Sequence, residues 1–415
     1  MSGEHFIPFR KADVVSMCAD DLPAGERESF LGFTRMLGSL LHHRFQARIE
    51  ALKEAYAPFN PEADTRLIHP VAREERHAAQ QRLETELVAL AEAANFTRID
   101  TEELNAALAE HSLLKVRMAI DLDAIDKFMF FRRGESTQSR SVPIWFGLRR
   151  RTVSFPAYAR VLVYAVFKDA EHFQGVDLDR LPYRPGSMIV KLFQNVPRPD
   201  LEMVLPNVEV RMGRMDKLLI GGTALVSGIV VIVTKLLASL GILLLLIGAW
   251  VGLSDTPEEL TQPRLLSLGA GLLAVGGYLW RQVTKWKNRK ILFMKALSEN
   301  LYFRNLDNDA GVFHHLLDAA EEAEAKEAVL AYHFIRTAPA APTPAELDRR
   351  IEDWFVQRWD ARFDFEIEDG LRKLRELGLV STDEQGRLTA VSLAEARHRM
   401  DQIWDGLFDR DVALA

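Results

Sequence analysis

Cysteine is almost missing from this chain: Cys18 stands alone among 415 residues. No internal disulfide can form, which fits a reducing compartment. Asp20 and Asp21 follow Cys18, whereas a reactive thiolate needs basic or histidine neighbours, so Cys18 reads as a small buried residue. An excess of positive charge is also missing. The formal net charge is −7, which gives no global attraction to nucleic acid. Catalytic signatures are absent too. Neither Gly-x-Ser-x-Gly nor His-Glu-x-x-His occurs. Gly221-Gly222 lies in an apolar stretch, with no P-loop pattern and no glycine-rich loop following a strand. The first ten residues lack a basic start followed by an apolar run, so they do not read as a secretory signal or transit peptide.

What the chain does have is one long apolar block, Leu218–Trp280, whose charges are Lys235, Asp255, Glu258, Glu259 and Arg264. A bilayer core needs about 20 apolar helical residues. Leu236–Ser254 offers 19 uncharged residues and Leu265–Trp280 offers 16. Arg211, Arg214 and Lys217 precede the block, and Arg281, Lys285, Lys287, Arg289, Lys290 and Lys295 follow it. Under the positive-inside rule both basic flanks face the cytoplasm and the short acidic gap lies outside. The expectation is a transmembrane helical hairpin, with crossings at about 236–254 and 265–281. The protein would be integral to the membrane, with both termini cytoplasmic. Lys235 reads as an interfacial anchor. Ser267, Ala270, Gly271, Ala274 and Gly277 give the second crossing a small-residue face suited to close packing or self-association, and hence to a homo-oligomer.

The flanking regions read as soluble α+β structure. Phe30, Phe33, Leu37, Leu40, Leu41, Phe45, Ile49, Leu52 and Tyr56 recur at helical spacing, and Pro58 and Pro61 close that helix. A second helix is expected over Val71–Asn95. Short β-branched and aromatic runs then predict strands at Val116–Asp121, Lys127–Arg132, Arg151–Phe155, Tyr158–Lys168, Ser187–Gln194 and Asn207–Met212, in a mostly antiparallel sheet. Asn305–Asp309 reads as a turn and Val312–Arg336 as a strong helix. After a proline-rich linker the order becomes helix (Ala345–Trp359), helix (Ile367–Leu377), hairpin (Leu379–Val391) and helix (Ser392–Phe408), a winged-helix-like module. The expected division is therefore 1–215, a membrane block 216–281, a helical segment 282–336 and the module 345–412.

Four segments resemble a known family. They are Phe6-Ile-Pro-Phe-Arg10; Lys191-Leu-Phe-Gln-Asn-Val-Pro-Arg-Pro-Asp-Leu-Glu202 with Leu205-Pro206; Leu301-Tyr-Phe-Arg-Asn-Leu306 with Ala320–Glu327 and Ala331-Tyr332; and Phe363–Leu374 with Leu377-Gly-Leu379. Together they look like the transmembrane protein 143 family, catalogued as domain of unknown function 3754. The resemblance implies a membrane protein without an established activity. Animal members are linked to mitochondria. With no transit peptide, a bacterial inner membrane is the expected setting.

Candidate chemistry is sparse, and no catalytic, cofactor-binding or metal-ligating residue is assigned. Asp318, Glu321, Glu322, Glu324, Glu327 and His333 share one helix. Glu324 and Glu327 could ligate a metal only if a second helix brought His or Glu opposite, so the group reads as a solvated acidic face. The adjacent pairs His42-His43 and His314-His315 diverge by about 100° on a helix and make poor co-ligands. Thr343–Val412 carries 17 acids against 11 bases, so the winged-helix-like module is expected to dock protein partners rather than DNA. Arg149-Arg-Arg151 with Arg160, Lys168, Lys191 and Arg198 makes the strand region locally basic, a possible contact for anionic lipid head groups. The resulting expectation is a non-enzymatic scaffold or interaction protein at a membrane surface. The alternatives are an enzyme acting on a lipid or membrane-associated substrate and an oligomeric channel or transport component.

Overall fold

A computed structural model of the chain describes residues 5–61, 63, 65–66, 68–69, 71–100, 102–104, 117–120, 123–144, 149–175, 177–204, 208–211 and 262–407. The chain divides into two compact units. The first comprises 1–110, 122–204 and 304–415; the second comprises 111–121 and 205–303.

The first unit begins with α1 (Lys11–Asp20), α2 (Ala24–Tyr56) and α3 (Arg73–Ala93). Every residue of the predicted α2 stripe, from Phe30 to Tyr56, is buried. Five strands follow in the order β1 (Thr97–Arg98), β3 (Ile125–Ile144), β4 (Arg149–Phe167), β5 (Met188–Pro197) and β7 (Asn305–Asn308), all antiparallel. Next come α5 (Ala310–Arg336), α6 (Pro344–Trp359), α7 (Ile367–Glu376), a β8–β9 hairpin (Val380–Thr382, Leu388–Ala390) and α8 (Leu393–Asp405). Thr343 caps α6 with a reciprocal Glu346 bond, and Ser392 caps α8 by accepting from the Glu395 amide.

Helix α5 is the spine. It runs antiparallel to α2, because Tyr56 meets Phe313 edge-on at 5.3 Å while Phe33 stacks on Tyr332 at 4.2 Å. Its first half joins α2, α3 and one face of the sheet in a core that includes Phe131, Leu162, Tyr164, Val190 and Leu192. Its second half joins α1, the start of α2 and the C-terminal elements in another. The helix–helix–hairpin–helix order expected after the linker is present, yet its apolar residues share one core with the N-terminal helices.

Two sheet expectations change. Arg151–Phe155 and Tyr158–Lys168 form one strand, β4. Pro156 does not interrupt it, because Pro156 lies one residue past the last β5 partner, where one side of the strand is open and a missing N–H is tolerated. Where a turn is expected over Asn305–Asp309, Asn305–Asn308 forms an edge strand on β5 and Asp309 is the N-cap of α5.

In the second unit, β2 (Arg117–Ile120) pairs antiparallel with β6 (Val208–Arg211). Its long helix, α4, spans Gln262–Arg304. The transmembrane hairpin does not hold, and with it falls the integral inner-membrane location with both termini cytoplasmic. No helix among the described residues is long and apolar enough to cross a membrane. The second expected crossing lies within α4, where 16 uncharged residues separate Arg264 from Arg281. About 20 apolar residues are needed, and Ser267, Gly269, Gly271, Gly276 and Gly277 dilute that run further. The first expected crossing, 236–254, and Lys235 lie outside the described residues.

Candidate functional site

The second half of α5 breaks the rule of one buried face per helix. Every residue from Ala325 to Ile335 is buried, because α2, α1 with the preceding segment, and α7 close around it. Lys326, Glu327 and His333 are therefore carried inside, each no more than 3% exposed. A buried charge must find a partner or change its protonation state. The solvated acidic face expected here is instead largely interior.

Lys326 is held by the chain's own N-terminal segment. Its Nζ donates to the carbonyl oxygens of Ile7 at 3.1 Å and Phe9 at 3.0 Å. Glu322 lies 3.8 Å away and accepts the Lys11 amide at 2.8 Å. The Phe6 ring receives two cations, with Lys326 Nζ 5.2 Å and the Arg133 guanidinium 4.6 Å from its centroid. Phe9 stacks on Phe355 at 5.4 Å. Burial is the main cause that lowers both the Lys326 ammonium and the Arg133 guanidinium, the latter to about 10.

Glu324 and Glu327 face α7. Lys373 Nζ stands 3.4 Å from Glu324, 3.7 Å from Glu327 and 3.7 Å from Asp369, with its side chain 3% exposed. The helices can approach this closely because residue 370 is glycine. A Cβ there would sit 2.9 Å from the Glu327 carbonyl oxygen. Burial pushes the Glu327 carboxyl up to about 8, against the attraction of Lys373, and raises Glu324 as well. A second helix does come opposite the Glu324–Glu327 pair, but it brings an ammonium where a metal site would need another ligand. Among the described residues no group of three His, Cys, Asp or Glu is placed to hold a metal ion.

The other singled-out residues disperse. Asp318 is exposed. Glu321 accepts from His42 at 2.8 Å, and His43 packs against Trp404. His315 pairs with Asp307 at 2.9 Å. His333 lies edge-on to Phe30 at 5.7 Å, and burial depresses it to about 4. Burial raises the Cys18 thiol, which is fully enclosed. Arg149–Arg151 open β4, whereas Lys168 follows its last residue and pairs with Asp123 at 3.6 Å. Sequence reasoning passed over Lys326 and Lys373 as ligand-holding or core-forming groups. The available signal was their position inside segments that carry the family resemblance.

The Lys373 cluster opens on one side into a groove of about 1660 Å³ between α2, α3 and α7. Its floor includes Glu324 and Lys373, and its walls carry His43, Arg44, Arg48, Glu50, Glu54, Glu75, Arg82, Glu86, Arg372 and Glu376. Arg44 reaches Glu376 at 2.9 Å, and Arg48 reaches Glu86 at 3.3 Å. On α7, Arg372 pairs with Asp369 and Glu376, and Arg375 with Glu368. The arginines that a recognition helix would offer to phosphates are thus matched by acids of the same helix.

No solved structure matches the chain. Residues 158–311, from the middle of β4 to the start of α5, match the family model described as a protein of unknown function (DUF3754).

Proposed function

We propose that this chain is a non-enzymatic interaction protein, in which the groove between α2, α3 and α7 receives a polypeptide segment of mixed charge from a partner. The groove itself supports this reading. At about 1660 Å³ it exceeds the roughly 300–1,000 Å³ of small-molecule pockets. Both acidic and basic side chains line its walls. The Arg44–Glu376 and Arg48–Glu86 pairs are partly exposed, so each is worth little by itself and can be exchanged for a partner's charges. The buried Lys373–Glu324 pair at the groove is matched within the chain and ties α7 to α5. Motifs outside the matched stretch, Phe6–Arg10 and Phe363–Leu374, support kinship with the transmembrane protein 143 family. They supply the segment on Lys326 and the helix carrying Lys373.

Photo-crosslinking amino acids at Ala51 and Gln81, both exposed in the groove walls, test the proposal in cells. Adducts of one defined polypeptide are expected at both sites, and none at the exposed Ala394 on α8. Equal labelling at all three positions would refute it.

A second reading, an enzyme, is favoured by one observation: a carboxyl with a raised pKa and a buried ammonium meet at the floor of a cleft, a combination common at reaction centres. Glu324→Gln separates the two. An enzyme would lose turnover of a metabolite that accumulates in the variant, whereas a docking groove would keep the metabolite profile unchanged.

A further inference from the structure

Helix α4 presents a solvent-facing row with the spacing of a helix–helix seam. Leu266, Ala270, Leu273, Gly277, Trp280 and Thr284 follow one another at alternating steps of four and three residues, and all six are exposed. That alternation averages 3.5 residues, the period that keeps one narrow seam turned toward a partner helix. The three large members, Leu266, Leu273 and Trp280, are 72%, 79% and 76% exposed. Among the described residues from Leu266 to Trp280, no exposed side chain carries a charge. Single surface leucines need no explanation, but a contiguous apolar row does.

Glycine recurs along the same row. Gly269, Gly276 and Gly277 lie inside the helix, where glycine is weaker than alanine. Among the described residues, nothing outside the helix's own backbone would lie within 4 Å of a Cβ at any of the three. Gly370 is required by the Glu327 backbone beside it, whereas no such neighbour calls for these glycines. Close approach of another molecule's backbone would account for them.

We infer that α4 pairs antiparallel with α4 of a second copy of this chain, about a two-fold axis near residue 275. In that register Leu266 meets Thr284, Ala270 meets Trp280 and Leu273 meets Gly277, so each large side chain enters the space beside a smaller one. Symmetry makes every contact twice and closes the pair. A parallel pair would set Trp280 on Trp280. It would also lay Arg281, Lys285, Lys287 and Lys295 of one copy along the same bases of the other. The antiparallel pair avoids that repulsion by sending the two basic runs to opposite ends. Together the copies would bury on the order of 1,000 Å² of these side chains, the size at which specific interfaces begin. A lipid surface would take the leucines and Trp280, but it has no use for the small residues between them. The pairing concerns α4 alone and is independent of the groove.

Cysteine cross-linking of the full chain in cells tests the register, because the native thiol, Cys18, is buried. A chain carrying both Leu266→Cys and Thr284→Cys is expected to form a covalent dimer on oxidation. Neither change alone should do so, since like positions would stand about 27 Å apart at 1.5 Å per residue. Sedimentation of the purified full chain is expected to give the mass of two chains. Gly277→Leu should weaken the dimer roughly 10-fold or more, with the circular dichroism spectrum of the parent retained. If that variant misfolds, Leu273→Glu serves, with the same loss expected. A parent that sediments as one chain would overturn the inference. So would a dimer that both substitutions leave intact, a cross-link through Leu266→Cys alone, or none in the double-cysteine chain. Vesicle binding by single chains that Leu273→Glu abolishes would instead assign the row to lipid and overturn it equally.

Discussion

Lys373 Nζ lies 3.4 Å from the Glu324 carboxylate, joining α7 to α5 with side-chain exposures of 3% and 14%. Glu327 and Asp369 complete the arrangement at 3.7 Å each. A buried pair of this kind is weak evidence for net stability, but removing one member is costly because the other charge is left inside. Lys373→Ala is therefore expected to destabilise the protein by about 3–5 kcal/mol, measured by urea unfolding of the full chain. A double-mutant cycle with Glu324→Gln should show a coupling of about 1 kcal/mol or more. Strict additivity would show that the two groups act independently.

The same cluster sets a pH dependence. Glu327 titrates at about 8 in the folded chain, against an ordinary value of 4.5, mainly through burial. Between those values the folded state binds a proton that the unfolded state has released. Stability must therefore decline as pH rises through that window. Glu327→Gln is expected to flatten this decline and to raise the melting temperature at pH 8 relative to the parent. An unchanged slope between pH 5 and pH 8 would assign the decline to other groups.

Lys326 tests the attachment of the N-terminal segment. Lys326→Ala leaves the Ile7 and Phe9 carbonyls without their shared donor. Each unsatisfied buried group costs about 1–3 kcal/mol. The expected outcome is a loss of about 2–4 kcal/mol, together with new proteolytic cleavage before Lys11 under native conditions. Protection of that segment in the variant would show that Phe6, Ile7 and Phe9 hold it unaided.

Gly370 tests the approach of α7 to α5. Alanine is normally the better helix residue by about 1 kcal/mol. Here its Cβ would meet the Glu327 carbonyl at 2.9 Å, and backbone cannot move aside as a flexible side chain can. Gly370→Ala is expected to destabilise by about 1–3 kcal/mol despite its propensity gain. Stabilisation in a thermal melt would mean that the helices part at no cost.

Local pattern carried much of the fold. The three-and-four spacing from Phe30 to Tyr56 predicts α2, and the run from Val312 to Arg336 predicts α5 within two residues of its observed start. Most strands were visible as short β-branched runs. β7 was not, because Asn305-Leu-Asp-Asn308 has turn-forming composition and pairs with β5 through tertiary context. Nor was the continuity of β4, since proline reads as a break unless it is known that the strand is open beside it.

By itself the sequence determined where the main helices and most strands lie, that no disulfide links them, and that residues 136–157 carry arginine without acid. These follow from periodicity, composition and count, which are properties of neighbouring residues. Only the tertiary structure decided the fate of the charges on α5. Periodicity expects one buried face per helix, whereas α5 is closed in on several sides by elements distant in the chain. That enclosure turned an apparently solvated Glu324–Glu327 pair into an interior site matched by Lys373. Apolar composition likewise suggested a membrane hairpin, but among the described residues no helix is long and apolar enough to cross a membrane: α4 holds 16 uncharged residues between Arg264 and Arg281, short of the roughly 20 that a crossing needs.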